Sequence, residues 1–98
     1  MIPDAMTPDD LRRLDQPPAA PALQALWWAA RDDWDRAHEA AQSDTGLEAA
    51  WVHAYLHRVE GDPENARYWY GQARQPVCTA ALDREWQDIA GALLPRQG

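Results

Sequence analysis

Alanine dominates the apolar residues of this chain, and the residue types that favour β-sheets are scarce. Of the 98 residues, 19 are alanine and none is phenylalanine. The aliphatic β-branched residues are Ile2, Val52, Val59, Val77 and Ile89. Because alanine is the best helix former and sheets favour branched and aromatic side chains, we expect an all-α fold.

Large rings supply the bulk that the alanines lack. The chain has six tryptophans and three tyrosines. A core of alanine and tryptophan is typical of closely packed helices, in which small residues lie at the crossings and rings fill the gaps. A chain of this length makes one small domain, so we expect residues 1–98 to form a single helical unit.

The charge balance argues against two classes of partner. Nine basic and 16 acidic residues give a net charge of −7, which disfavours binding to nucleic-acid phosphates or to an anionic membrane surface. No apolar run approaches the roughly 20 residues of a membrane span. A single cysteine, Cys78, excludes an internal disulfide and a zinc site built from cysteines. Residues 1–5 lack the features of a signal peptide, so we expect a cytoplasmic protein.

Apolar spacing and turn signals predict about six helices. The sequence Gly61-Asp62-Pro63 is typical of one helix ending and the next beginning. Thr45, with Glu48 three residues later, predicts a capping box at another helix start. The predicted segments are a short helix after Thr7 and a proline-rich linker within residues 1–21, two helical hairpins within residues 22–75, and a capping helix over residues 79–94.

The two predicted hairpins are similar to each other. Ala25 and Ala37 are 12 residues apart, as are Ala54 and Ala66, and an aspartate precedes the second alanine of each pair by four residues. This pattern resembles the tetratricopeptide repeat, in which small residues let two antiparallel helices touch. The period here is 29 residues, against 34 in that family. The resemblance implies an array of antiparallel helical hairpins.

A second resemblance rests on residues 51–58, which read W-V-H-A-Y-L-H-R. This segment, with the Glu60-Gly61-Asp62 turn that follows, is similar to a family of small bacterial proteins with the same core sequence. That resemblance implies no activity.

One stripe on the fourth helix is a candidate binding surface. Trp51, Tyr55 and Arg58 lie four and then three residues apart, and these residue types are enriched at binding hot spots. The tetratricopeptide resemblance implies that they line a groove for extended peptides. Tyr68 is expected to point away from its helix's core stripe, towards a partner. Alternatively, the rings cover the first hairpin and Arg58 pairs with an acid such as Asp62.

Three histidines form the other candidate site. His53 and His57 are one turn apart on the fourth helix, and His38 on the preceding helix is a potential third ligand. Neutral imidazoles at this spacing can share zinc or another transition metal. The alternative is that His53 and His57 are core residues hydrogen-bonded to tyrosines of the fifth helix or to backbone carbonyls.

These patterns lead us to expect a non-catalytic protein-interaction or scaffold domain that needs no cofactor. Its partner would be a protein, a peptide or a second copy of the chain in a homodimer, because two repeats make a short array. The alternative is a protein that binds a small ligand or a metal such as zinc through His38, His53 and His57. An enzyme that uses the same histidines is the third hypothesis.

Overall fold

The computed structural model describes residues 6–94, which form six α-helices and no strand. The prediction of an all-α array of about six helices is therefore confirmed. Residues 1–5 and Pro95, the expected end of the last helix, lie outside the described residues. The helices are α1 (Pro8–Arg13), α2 (Pro21–Ala29), α3 (Trp34–Gln42), α4 (Leu47–Val59), α5 (Pro63–Ala73) and α6 (Leu82–Leu93). None of the helices in residues 6–94 has both the length and the apolar character needed to cross a bilayer.

Three helices begin where a side chain caps the first turn. The Thr7 hydroxyl accepts from the Asp10 amide at 3.1 Å, and the Asp10 carboxylate accepts from the Thr7 amide at 2.9 Å. Asp33 and Asp62 cap α3 and α5 in the same way, each accepting an amide three residues ahead at 3.1 Å. Gly61, at φ +84°, takes the left-handed conformation that ends α4. The predicted starts of α1 and α5 are thus confirmed.

The start of α4 is not the predicted capping box. Its N-cap is Gly46, which has no side chain, and the Thr45–Glu48 pair is not formed. The Gly46 amide donates instead to the Asp44 carboxylate at 2.9 Å. A local aspartate therefore closes this turn before the threonine can act as a cap.

The last helix begins later than predicted, at Leu82 rather than at Thr79. The Ala80 carbonyl accepts a hydrogen bond from Nη2 of Arg58 at 2.6 Å. In a helix that began at Thr79, this carbonyl would accept from a backbone amide of α6. The contact with α4 therefore holds the residues before Leu82 outside the helix.

The helices pack as two hairpins closed by α6. Contacts are most extensive between α2 and α3 and between α4 and α5, and α6 packs against α1, α2 and α4. Ala25 and Ala37 are completely buried in the main core, and Ala54 and Ala66 are buried together in a second cluster with Tyr70. The short turns and close contacts make each hairpin antiparallel, as the alanine spacing predicts.

The main core lies between α2, α3, α4 and α6, and Leu26, Leu56 and Ile89 are completely buried in it. Val59 and Leu82 continue the apolar spacing of α4 and α6, yet both are exposed. Val59 is the last residue of α4 and Leu82 the first of α6, so each lies beyond the part of its helix that another helix covers.

Candidate metal centre

The three predicted histidines come together between α3 and α4. His38 lies in the middle of α3, while His53 and His57 lie one turn apart on α4, which packs against α3. Nε2 of His38 and Nε2 of His53 are 2.9 Å apart. One ring nitrogen from each histidine lies within 4.8 Å of those of the other two. The side chains therefore form one cluster, as a shared metal ion requires.

Two tryptophans form the walls of this cluster. Trp69 of α5 stacks on His53, with ring centroids 3.8 Å apart and planes inclined by 11°. Trp34 of α3 stacks on His38 at 4.7 Å and meets the ring of His57 edge-on at 6.0 Å. His53 and His57 are buried, whereas His38 is half-buried and remains accessible to solvent. The tryptophans thus hold the imidazoles in place and leave access at His38.

The environment favours neutral imidazoles. Burial, together with the neighbouring His38 and His57, lowers the pKa of His53 to about 4. Burial and the charge of His57 likewise lower the pKa of His38. Both rings are therefore neutral at pH 7, the form in which imidazole binds a metal. Their 2.9 Å hydrogen bond requires that one Nε2 carries the hydrogen and the other accepts it.

His57 is oriented by a carboxylate. Its Nδ1 is 2.5 Å from Oε1 of Glu60, which lies at the C-cap of α4. When Nδ1 donates to this oxygen, Nε2 remains as the nitrogen with a free lone pair. A carboxylate bonded to the second nitrogen of a ligating histidine is a recurrent feature of metal sites, where it orients the ring and raises its basicity. Asp62 also lies within 4.8 Å of this pair, although it already caps α5.

The histidine nitrogens are close to the spacing of a metal site. Two ligands of a tetrahedral zinc ion lie about 3.3 Å apart, given zinc–nitrogen bonds of about 2.0–2.1 Å. The His38–His53 separation of 2.9 Å is somewhat shorter, and the other separations are at most 4.8 Å. Ring movements of about 1 Å would therefore bring three nitrogens to one ion. Three protein ligands would leave the fourth position open to water.

His53 and His57 are buried, as the alternative interpretation expected, but the tyrosines of α5 are not their hydrogen-bond partners. The Tyr70 hydroxyl donates to the carboxylate of Glu85, and Tyr68 is exposed. His53 and His57 bond instead to His38 and Glu60. The histidines of the cluster therefore hydrogen-bond to one another and to Glu60.

The predicted binding stripe on α4 lies against the rest of the molecule. Tyr55 is buried, and Trp51 is half-buried and packs on both core clusters. Nη1 of Arg58 donates to Oε1 of Glu85 at 2.5 Å, so its acidic partner is in α6 and is not Asp62. The guanidinium of Arg58 is therefore already occupied by groups of this chain.

Glu85, which no motif in the sequence marks as a candidate residue, is buried at 2% exposure. Its two oxygens accept from Arg58 and from the hydroxyl of Tyr70. Burial and this hydrogen bond raise the pKa of Tyr70, so the hydroxyl stays protonated and donates. The one signal in the sequence is the position of Glu85 next to Trp86, on the buried side of α6. The spacing of apolar residues does not reveal it, because Glu85 is charged.

No family model, curated protein or solved structure was found to match this chain. The resemblances to the tetratricopeptide repeat and to the W-V-H-A-Y-L-H-R proteins therefore stay predictions. Function has to be argued from the geometry of the described residues.

Proposed function

We propose that the protein binds a divalent transition metal, with zinc as the best match, through His38, His53 and His57. The observation that carries this proposal is the convergence of three imidazoles from two helices, with one nitrogen of each within 4.8 Å of the others. Neutral imidazole is a ligand for zinc, copper and nickel, whereas magnesium and calcium prefer oxygen. The ligand set therefore favours a transition metal over the hard divalent cations.

The surroundings of the cluster support a metal site in three ways. The lowered pKa values of His38 and His53 keep these two ligands unprotonated, so neither has to lose an added proton when an ion binds. Glu60 orients His57 from outside the ligand set. His38 is half-buried, which gives an ion a path from solvent. The open fourth position would hold water or a small anion, which is also what a hydrolytic enzyme at this site would require.

The test is a calorimetric titration of protein without a histidine tag, first stripped of metal with a chelator, with Zn²⁺, Ni²⁺ and Cu²⁺. We expect one ion per chain and a higher melting temperature in its presence, because a ligand that binds only the folded state stabilises it. His38→Gln should abolish stoichiometric binding, and its half-buried position makes it the ligand variant least damaging to the fold. Glu60→Gln should weaken the affinity about 10- to 100-fold.

Two further variants serve as controls. Glu39→Gln changes an exposed carboxylate next to His38 and should bind as the wild type does. Cys78→Ser should also leave the affinity unchanged, because the thiol is outside the cluster. Wild-type protein that binds no ion, or a His38→Gln variant that binds as tightly as the wild type, would refute the proposal.

Binding of a protein, of a peptide or of a second copy of the chain is our second proposal. Its support is Tyr68, which is 58% exposed and stands edge-on to Trp69 with ring centroids 5.3 Å apart. A tyrosine ring fixed by its neighbour offers both apolar area and a hydroxyl to a partner. The stripe of Trp51, Tyr55 and Arg58 gives this proposal less support, because its side chains are engaged within the chain.

A further inference from the structure

A cavity of about 430 Å³ lies between α2, α4 and α6, and none of the three histidines lines it. Its walls include the rings of Trp34, Tyr55 and Trp86 and the buried Leu56. This volume is within the range of sites for small molecules, which are mainly apolar with a few polar groups. Two exposed apolar side chains, Val59 and Leu82, also border it.

Three aromatic residues line the cavity, and each has one polar group. Of these groups, the hydroxyl of Tyr55 has no hydrogen-bond partner in the described residues. The indole nitrogens of Trp34 and Trp86 donate to backbone carbonyls at 2.7 and 2.9 Å. Tyr55 is 7% exposed, and its hydroxyl makes no hydrogen bond within residues 6–94. Every side-chain oxygen in that range that is cut off from solvent has a partner, so this hydroxyl is in contact with solvent, and Tyr55 is one of the residues that line the cavity. A nearly buried hydroxyl without a partner is unfavourable unless water or a ligand satisfies it.

The charges around the cavity favour a cation. Asp32 and Asp83 line it, and neither carboxylate is in an ion pair within the described part of the chain. The one cationic side chain in the lining, Arg12, is 3.7 Å from the carboxylate of Asp9 and stacks over the ring of Trp86 at 4.3 Å. That stacking also shows that these rings can hold a positive charge against their faces.

We propose that this cavity binds an organic cation, namely a primary amine with an aromatic or branched aliphatic body. The ammonium group donates a hydrogen bond to the Tyr55 oxygen and lies in the field of Asp32 and Asp83. The apolar body packs against Leu56 and the ring of Trp34, and Val59 and Leu82 cover its outer side. The ligand thus satisfies the unpartnered hydroxyl and buries the exposed apolar edges at the same time.

The proposal is tested with 2-phenylethylamine as the probe and neutral 2-phenylethanol as its matched control. Both are titrated into metal-free protein, and the indole N–H resonances of Trp34 and Trp86 report binding by nuclear magnetic resonance. We expect the amine to bind about tenfold more tightly than the alcohol, because only the amine meets the two carboxylates as a cation.

Variants assign the binding to this cavity. Asp83→Asn and Tyr55→Phe should each weaken binding of the amine about fivefold, the factor expected for one partly exposed charge or one hydrogen bond. Asp88→Asn changes a carboxylate of the same helix that does not line the cavity, and it should bind the amine as the wild type does.

Three results would overturn the proposal: no shift with either probe, equal affinity for amine and alcohol, or an amine affinity unchanged in both Asp83→Asn and Tyr55→Phe. Circular dichroism of each variant confirms that it is folded. If Tyr55→Phe is not folded, the comparison of Asp83→Asn with Asp88→Asn decides the outcome.

Discussion

A single buried carboxylate, Glu85 of α6, connects three helices. It accepts hydrogen bonds from Arg58 of α4 and from Tyr70 of α5. Breaking a buried ion pair by removing one partner is costly, because the remaining charge stays buried without compensation. The same arrangement explains why Arg58 is not available to a peptide ligand.

We predict that Arg58→Ala lowers the free energy of unfolding by about 3 kcal/mol, since it leaves Glu85 buried and unpaired. The Arg58 side chain is 18% exposed and that of Glu85 is 3% exposed, so solvent screens the pair only slightly. Urea denaturation measures the change. Arg84→Ala is the matched control, because it removes an exposed pair with Asp88 and should cost at most about 0.5 kcal/mol. An Arg58→Ala variant as stable as Arg84→Ala would show that the pair does not clamp the helices.

The histidine cluster should make the metal-free protein sensitive to acid. The pKa of His53 is lowered to about 4 in the folded state, against about 6.5 for an unperturbed histidine. The unfolded chain therefore binds a proton at His53 more readily than the folded chain does. The stability that comes from neutral His53 is present above pH 6.5 and is lost as the pH falls towards 4. We expect this group to lower the free energy of unfolding by about 2 kcal/mol between pH 7 and pH 5.

The measurement compares urea denaturation of the metal-free wild type and of His53→Gln at both pH values. Carboxylates titrate in both proteins. The difference between the two proteins in how the free energy of unfolding changes with pH therefore reports on His53. Equal pH dependence in the two proteins would contradict the prediction.

At the level of elements, each hairpin depends on small residues where its helices cross. Ala54 of α4 and Ala66 of α5 are buried in one cluster with Tyr70, beside Trp51 and Trp69. There is no room for a longer side chain at such a crossing unless the helices separate.

We predict that Ala66→Leu overpacks this crossing and lowers the free energy of unfolding by about 1–3 kcal/mol. Ala92→Leu, at an exposed position of α6, is the control and should have little effect. Thermal and urea denaturation of the two variants provide the comparison. If Ala66→Leu is as stable as Ala92→Leu, then the two helices do not meet at this alanine.

Helix starts that a capping side chain marks were predictable from the sequence. Thr7, Asp33 and Asp62 each cap the helix that follows, and the starts after Thr7 and Asp62 were predicted. The starts of α4 and α6 have no side-chain cap, and both predictions failed there. An uncapped start depends on contacts made elsewhere, such as the bond from Arg58 to the Ala80 carbonyl.

Across the whole molecule, the exposed apolar side chains favour self-association. Large apolar side chains of several elements remain at the surface, and contiguous apolar patches of several hundred Å² usually mark interfaces. The exposed large apolar side chains are Leu47, Val59, Tyr68, Val77 and Leu82.

We predict that the protein self-associates at micromolar concentrations and that Tyr68→Ser shifts the equilibrium towards monomer, because Tyr68 is the most exposed of these side chains at 58%. Sedimentation velocity over a range of concentrations measures both effects. Arg67→Ser, at the neighbouring exposed position of α5, is the control. A wild type that sediments only as monomer would contradict the prediction.

Local sequence was enough to predict the class of fold, the two hairpins and the position of His53 and His57 on one helix face. These features depend on interactions within about four residues, namely helix propensity, caps and the periodicity of the helix, which are all present in the local sequence. The position of His38 beside this pair also followed from the sequence, because consecutive helices joined by a short loop pack side by side.

Only the tertiary structure decided the contacts between distant elements. Arg58 pairs with Glu85, 27 residues away, rather than with the nearby Asp62, and Tyr55 lines a cavity rather than a surface groove. Both outcomes depend on how α6 is placed and rotated against α4. The crossing angle and rotation of two helices follow from the packing of many side chains at once, so local sequence does not contain them.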